Sequence, residues 1–182
     1  MSIVQKGKET NLNPASYGLS NSASVRKEGA VIGAPMAPLK AALDDLIADT
    51  VDLYHRAWGY HWNVKGADFA QYHALFSSIY ESLEESIDPI AENIQKIGFD
   101  APFDIRVFSQ LSSIPPASAT NNSPTSMASD LYTGLDYLVV CLNKAFAVAT
   151  AQNEQGIANF IADRLDITKG WMWQLRSSTT GQ

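Results

Sequence analysis

Residues 68–98 read DFAQYHALFSSIYESLEESIDPIAENIQKIG, and the fold turns on this stretch. Phe69, Phe76, Ile79, Tyr80, Leu83, Ile87, Ile90, Ile94 and Ile97 recur at intervals of three and four, the period of one face of an α-helix. Asp68 stands where an N-cap belongs and Gly98 where a helix stops. Pro89 removes the amide that would bond to residue 85, so a kink or local bulge is expected there.

The same period extends to both sides. From Pro38, the positions Leu39, Leu43, Leu46, Ile47, Leu53, Tyr54, Ala57 and Trp58 predict a helix to about residue 63, ended by Asn63-Val64-Lys65-Gly66. Residues 99–127 hold four prolines and the polar run SATNNSPTS. They form a long connection with room for one short helix near 105–111 that must cross from one end of the molecule to the other. A third helix is expected over about 128–152, its stripe made by Leu131, Leu135, Leu138, Leu142, Ala145, Phe146 and Ala149, and a fourth over about 155–177. Two long helices, a long crossover and two more long helices make an all-α four-helix bundle with one long crossover connection. Residues 1–35, rich in Ser, Asn and Gly without a period, read as a flexible arm, leaving 36–178 as the bundle domain.

At 182 residues, with 46% apolar and 18% charged, the chain has material for one globular core. The apolar run 138–142 is far short of the roughly 20 residues that cross a bilayer, so no membrane association is expected. No apolar leader follows the N-terminal lysines, and the expected compartment is the cytoplasm. The lone Cys141 excludes an internal disulfide and cysteine-based zinc or iron–sulfur sites, and its apolar surroundings predict a buried, inert thiol. Of a net charge of −6, residues 1–30 contribute four basic and two acidic groups, leaving nine basic and seventeen acidic in the body. Such a body repels nucleic acid and attracts cations.

Three histidines occur, and two of them, His61 and His73, bracket the first interhelix turn. Across a tight antiparallel turn both imidazoles can face one site, although paired boundary histidines held by hydrogen bonds have the same spacing. The second helix carries Glu81, Glu85, Asp88 and Glu92 at steps of four, three and four, one face with only Lys96 to extend it. Carboxylates this close repel one another unless a cation joins them. Imidazole with carboxylate suits iron, zinc or manganese. His73 and Asp88 are fifteen residues apart on one helix, about 22 Å at 1.5 Å per residue. They can share an ion only if a second copy of the helix runs antiparallel to the first, which makes any such site a property of a two-fold dimer. No Glu precedes a His by three, so the single-chain di-iron site built from Glu-x-x-His pairs is excluded.

The segment His61-Trp62-Asn63-Val64-Lys65-Gly66, then Phe69, His73 and Ile87-Asp88-Pro89-Ile90-Ala91-Glu92-Asn93-Ile94 with Gly98 closely resembles the signature of the Dps family of mini-ferritins. The likeness covers residues 38–98 well, and Lys169, Trp171 and Met172 carry it to about 177. It implies a hollow dodecamer that oxidises Fe²⁺ with hydrogen peroxide or dioxygen, stores the ferric product and protects DNA. By the family pattern His61 and His73 of one subunit, with Asp88 and Glu92 of its two-fold mate, form the ferroxidase site, and Trp62 is the site-adjacent tryptophan that can donate an electron.

The sequence departs from that pattern in places. Ser77 stands where the family usually has an aspartate four residues after the second histidine, and Glu81, one turn on, is the best substitute by position. Asn93 replaces a frequent arginine. Near the third-to-fourth helix junction, where the family lines a three-fold pore with acids, only Glu154 and Asp163 are candidates to guide cations. DNA contacts would fall to Lys6, Lys8, Arg26 and Lys27 of the arm, and so few charges predict weak binding. The rival reading is a non-enzymatic structural or DNA-protecting shell whose site holds zinc or nothing.

Overall fold

A computed structural model of the chain describes residues 35–118 and 123–179, in five helices: α1 (Ala37–Asn63), α2 (Phe69–Lys96), α3 (Ile105–Leu111), α4 (Pro124–Ala151) and α5 (Gln155–Thr179). No strand occurs among the described residues. The arm expected over 1–35 lies almost wholly outside them, and with it Lys6, Lys8, Arg26 and Lys27.

α1 packs along α2, α4 along α5, and α1 along α4. The chain ends of these helices fix the topology. Pro124, opening α4, lies 3.9 Å from where a Cβ on Gly66 would be, and Tyr72 at the start of α2 donates to the Ser178 carbonyl near the end of α5. The α2–α4 connection therefore runs the length of the bundle. The interior is filled by Leu39, Leu43, Leu46, Ile47 and Leu53 of α1, Phe76, Ile79, Leu83, Ile90 and Ile94 of α2, Leu131, Leu135, Leu138 and Leu142 of α4, and Ile157, Ile161 and Leu175 of α5. Gly134 sits at the close α1–α4 approach, where a Cβ would come within 2.5 Å of a Leu53 methyl and force it to shift.

Helix ends follow backbone chemistry. After α2, Gly98 adopts φ 87°, its amide bonds to Gln95 O and that of Phe99 to Ile94 O, the reciprocal pair that closes a helix on a left-handed residue. Asn153 does the same after α4 at φ 60°, with its amide on Thr150 O and that of Glu154 on Ala149 O. Asp68 is the residue before α2 but its side chain caps nothing, whereas Asp104 accepts from the Arg106 amide at 2.9 Å and starts α3. The α2 helix continues on both sides of Pro89.

Two buried carboxylates tie the crossover down. Asp49 of α1, wholly buried, accepts from the Ser113 amide at 2.6 Å and the Ser113 hydroxyl at 2.9 Å, with the Ser112 hydroxyl 3.1 Å away. Asp130 of α4 accepts from the Ser118 amide and hydroxyl (2.8 and 2.7 Å), Tyr60 Oη (2.8 Å) and Arg56 Nη1 (3.2 Å), while Arg56 Nη2 donates to Pro115 O at 2.6 Å. Burial pushes the Cys141 thiol up to about 12, with Asp49 and Asp45 adding to the effect, so it is neutral and unreactive as expected.

Among the described residues, α4 alone has the length and composition of a membrane span, with mean hydropathy 1.3 over its most apolar window. Its buried stripe packs in the bundle core, and Asp136, Asn143 and Lys144 lie exposed on it. Phe146, placed in the core stripe by its spacing, is instead exposed, as are Val140 and Tyr137.

Candidate metal centre

α1 brings His61 in its last turn and α2 brings His73 in its second, on either side of the Gly66 turn. The rings stack with centroids 3.7 Å apart and planes 21° from parallel. His61 Nδ1 lies 2.9 Å from the His73 carbonyl oxygen and His73 Nδ1 lies 2.8 Å from the His61 carbonyl oxygen. A carbonyl can only accept, so each Nδ1 carries a hydrogen, and a neutral ring so bonded keeps its lone pair on Nε2. That is the tautomer in which imidazole ligates a metal, set by the hydrogen bond at the other nitrogen. The His61 oxygen is one of the last four carbonyls of α1, which a helix leaves without an amide. His73 supplies the missing donor, so the pair also staples the two helices together.

Aromatic rings enclose the imidazoles. Phe69 stacks on His73 at 4.8 Å, and Tyr80 stands edge-on to His61 at 5.3 Å and 75°. Trp58 lies 4.4 Å from Trp62 and 5.5 Å from Tyr54, and Tyr80 lies 6.3 Å from Trp58 and 6.2 Å from Tyr54. Trp62 itself is 60% exposed. Spacing had placed Tyr54, Trp58 and Tyr80 in the apolar stripes of their helices. For Tyr54 and Trp58 the signal was the i, i+4, i+8 run Tyr54-Trp58-Trp62, which ends beside His61.

The chain brings His61 and His73 together and leaves Asp88 and Glu92 far along α2, both exposed. Glu92 lies 3.9 Å from Lys96 with both side chains about 60% exposed, a geometry worth little. Among the described residues no three His, Cys, Asp or Glu side chains converge within one chain. Ser77 donates to Glu81 Oε1 at 2.9 Å, so position 77 pairs with the neighbouring acid. Glu154 opens α5, its carbonyl accepting from Ala158 N, and Asp163 lies exposed on α5. Neither meets a further acid cluster.

A cleft of about 810 Å³ lies elsewhere, lined by Asp52, His55, Arg56, Gly59 and Asn63 of α1 with Ile105 and Phe108 of α3. These α1 positions face the side opposite His61, which is about two and a half turns from Asp52. Its charged groups are committed to the crossover, Arg56 to Asp130 and Pro115 and Asp52 to Ser112. The imidazole pair, small and half-buried, has the freer donor atoms and is the better candidate.

The family model of the ferritin-like domain matches residues 40–179. The DNA protection during starvation protein 2 of Bacillus anthracis is 25% identical over 135 residues, 74% of this chain and 92% of that one. The crystal structure of antigen TpF1 from Treponema pallidum superposes with a TM-score of 0.76 at 25% identity, covering 80% of this chain and 94% of that one. The Dps protein of Vibrio cholerae O1, described as a member of a broad superfamily of ferritin-like diiron-carboxylate proteins, superposes with a TM-score of 0.75 at 24% identity over 85% and 98% of the two chains. With the bundle, its single crossover and the matched span in agreement, the chain belongs to the ferritin-like family, and its fold is similar to that of Dps proteins.

Proposed function

We propose that this protein is a cytoplasmic ferroxidase and iron store, binding Fe²⁺ as its substrate between two subunits and keeping the ferric product inside a closed shell of its own copies. The observation that carries this reading is the reciprocal His61–His73 clamp, which engages both Nδ1 atoms and leaves both Nε2 atoms outside these hydrogen bonds. Asp88 and Glu92 of an antiparallel second copy supply the carboxylates that one chain does not bring there. The imidazoles bind ferrous iron. The carboxylates, hard and anionic, favour the ferric product and so lower the cost of oxidation. Peroxide or dioxygen takes the electrons, and the net result is removal of a Fenton reagent.

Anaerobic loading with Fe²⁺, followed by peroxide and stopped-flow absorbance, tests this. A ferric band that grows far faster than in protein-free buffer is expected. A rate equal to buffer, or zinc retained in place of iron, returns the protein to the structural-shell reading.

A shared site needs at least a dimer, and the family pattern closes dimers into twelve copies. We expect light scattering at micromolar concentration to give about twelve times the 19.8 kDa subunit mass. A monomer would remove the site. The exposed Trp62, Phe69, Val140, Phe146 and Trp173 are the apolar surface such contacts would cover.

Charge weighs against tight DNA binding. Twelve copies at −6 each face a polyanion, and any attraction rests on the arm's few cations. We expect no gel retardation of plasmid at about 0.15 M salt, where the Debye length is about 8 Å, and at most weak retardation at low salt that disappears when residues 1–30 are deleted. Retardation that survives the deletion would place the basic surface elsewhere.

A further inference from the structure

The hydrogen count at Ser77 assigns a direction to a chain of groups beside the imidazole pair. Ser77 Oγ lies 2.9 Å from Glu81 Oε1 and 3.4 Å from Tyr80 Oη. A serine hydroxyl has one hydrogen. The carboxylate takes it, because charge-assisted bonds are the stronger, so toward Tyr80 the serine oxygen is an acceptor. The phenol can then donate along Tyr80 Oη, Ser77 Oγ and Glu81 Oε1. The 3.4 Å step is long for an O–H···O bond. The Tyr80 ring meets His61 at 5.3 Å on one side and Trp58 and Tyr54 on the other.

This geometry has a use if iron is oxidised at the imidazole pair, and the role of Tyr80 rests on that reading of the site. Hydrogen peroxide is reduced to water or hydroxide by two electrons, and a single Fe²⁺ gives one. Ser77 itself brings no carboxylate to a second ion, and Glu81, the acid beside it, has Oε1 taken by the Ser77 hydroxyl. Without a second electron, the reaction of one Fe²⁺ with peroxide releases hydroxyl radical.

We infer that Tyr80 supplies the second electron, passing its proton through Ser77 to Glu81, with Trp58 and Tyr54 sharing the resulting hole. The step balances: Fe²⁺, H₂O₂, the Tyr80 phenol and the Glu81 carboxylate give Fe³⁺, two hydroxide ions, a Tyr80 phenoxyl radical and a protonated Glu81. The O–O bond of peroxide breaks, Fe²⁺ and Tyr80 are each oxidised by one electron, and the phenolic proton ends on Glu81. Tyr80 is thus an electron donor, while Ser77 and Glu81 position and accept its proton.

The test uses the full-length oligomer with one Fe²⁺ per site, mixed with peroxide, freeze-quenched and examined by electron paramagnetic resonance. Ferric iron is read in the same samples and a hydroxyl-radical spin trap in parallel ones. A tyrosyl signal is expected, and its hyperfine structure should collapse in wild-type protein grown with ring-deuterated tyrosine, a control that needs no variant. In Tyr80→Phe the signal per ferric ion should fall several-fold and the spin-trap adduct per ferric ion should rise. Ser77→Ala should lower the radical yield and abolish a solvent deuterium isotope effect on its formation, which a merely structural serine would leave in place. Ferric iron forming with no tyrosyl signal, or a signal untouched in Tyr80→Phe, overturns the inference and leaves the ferroxidase reading standing. Failure of the wild-type protein to form ferric iron overturns both.

Discussion

Replacing both imidazoles, His61→Ala with His73→Ala, is expected to abolish rapid peroxide-dependent oxidation of Fe²⁺. Both Nε2 donors go at once, and exposed carboxylates without imidazole hold ferrous iron weakly. Loss of an outer partner of a metal ligand already costs about 10–100-fold, so loss of two ligands should exceed about 100-fold in initial rate. The same pair of side chains carries the two hydrogen bonds that staple α1 to α2, each worth about 0.5–1.5 kcal/mol net. The variant should therefore melt somewhat lower and still assemble. His61→Gln separates the roles, since its amide can donate to the His73 carbonyl without providing an imidazole. Stopped-flow absorbance together with light scattering reads both effects. An unchanged oxidation rate in an assembled double variant would move the site away from the imidazoles.

The four long helices were legible because their apolar residues repeat at the helical period, and each observed boundary lies within four residues of its expected place. The short helix at Ile105–Leu111 lies where the proline-rich connection had room for one. Period does not distinguish the two surfaces that an assembling helix buries, one in its own core and one against other subunits. Phe69 and Phe146 fit the stripes by spacing and lie exposed on the single chain. The crossover's attachment was invisible for a different reason. Asp49 and Asp130 gain their meaning from Ser112, Ser113 and Ser118, some twelve to sixty-four residues away, and a polar loop has no period to announce them.

The candidate site divides along the same line. That His61 and His73 could meet followed from a short turn between two helices, and that Asp88 and Glu92 could not join them followed from helical rise. What fixes the imidazoles is a pair of backbone carbonyls, present at every position of every sequence and selected only by the fold. Ser77 was legible as a departure from the family pattern, but its hydrogen bond to Glu81 was not, because a rotamer decides it.

The largest expected effect on stability belongs to Asp130. It is 6% exposed and receives Arg56, Tyr60 and two bonds from Ser118, so Asp130→Ala breaks a buried ion pair and frees the end of the crossover. Breaking such a pair from one side costs about 3–5 kcal/mol, or roughly 6–20 °C in Tm for a chain of this size, compared at equal protein concentration because assembly contributes to Tm. Charge and shape are separated by Asp130→Asn through pH. Burial pushes the Asp130 carboxyl up, but the Ser118 bonds, the Tyr60 hydroxyl and the Arg56 charge together outweigh it and hold it below the ordinary carboxylate range. A group depressed in the folded state stabilises above its unfolded value, about 3.9 for Asp, and loses that contribution as pH falls through the lower folded value. Wild type should therefore exceed Asp130→Asn in Tm at pH 6, and the gap should narrow below about pH 4 as the carboxyl takes up its proton. Every other carboxylate is common to both proteins and cancels in the difference. A gap that stays constant down to the point of acid unfolding would mean that the shape of the side chain, and not its charge, anchors the crossover.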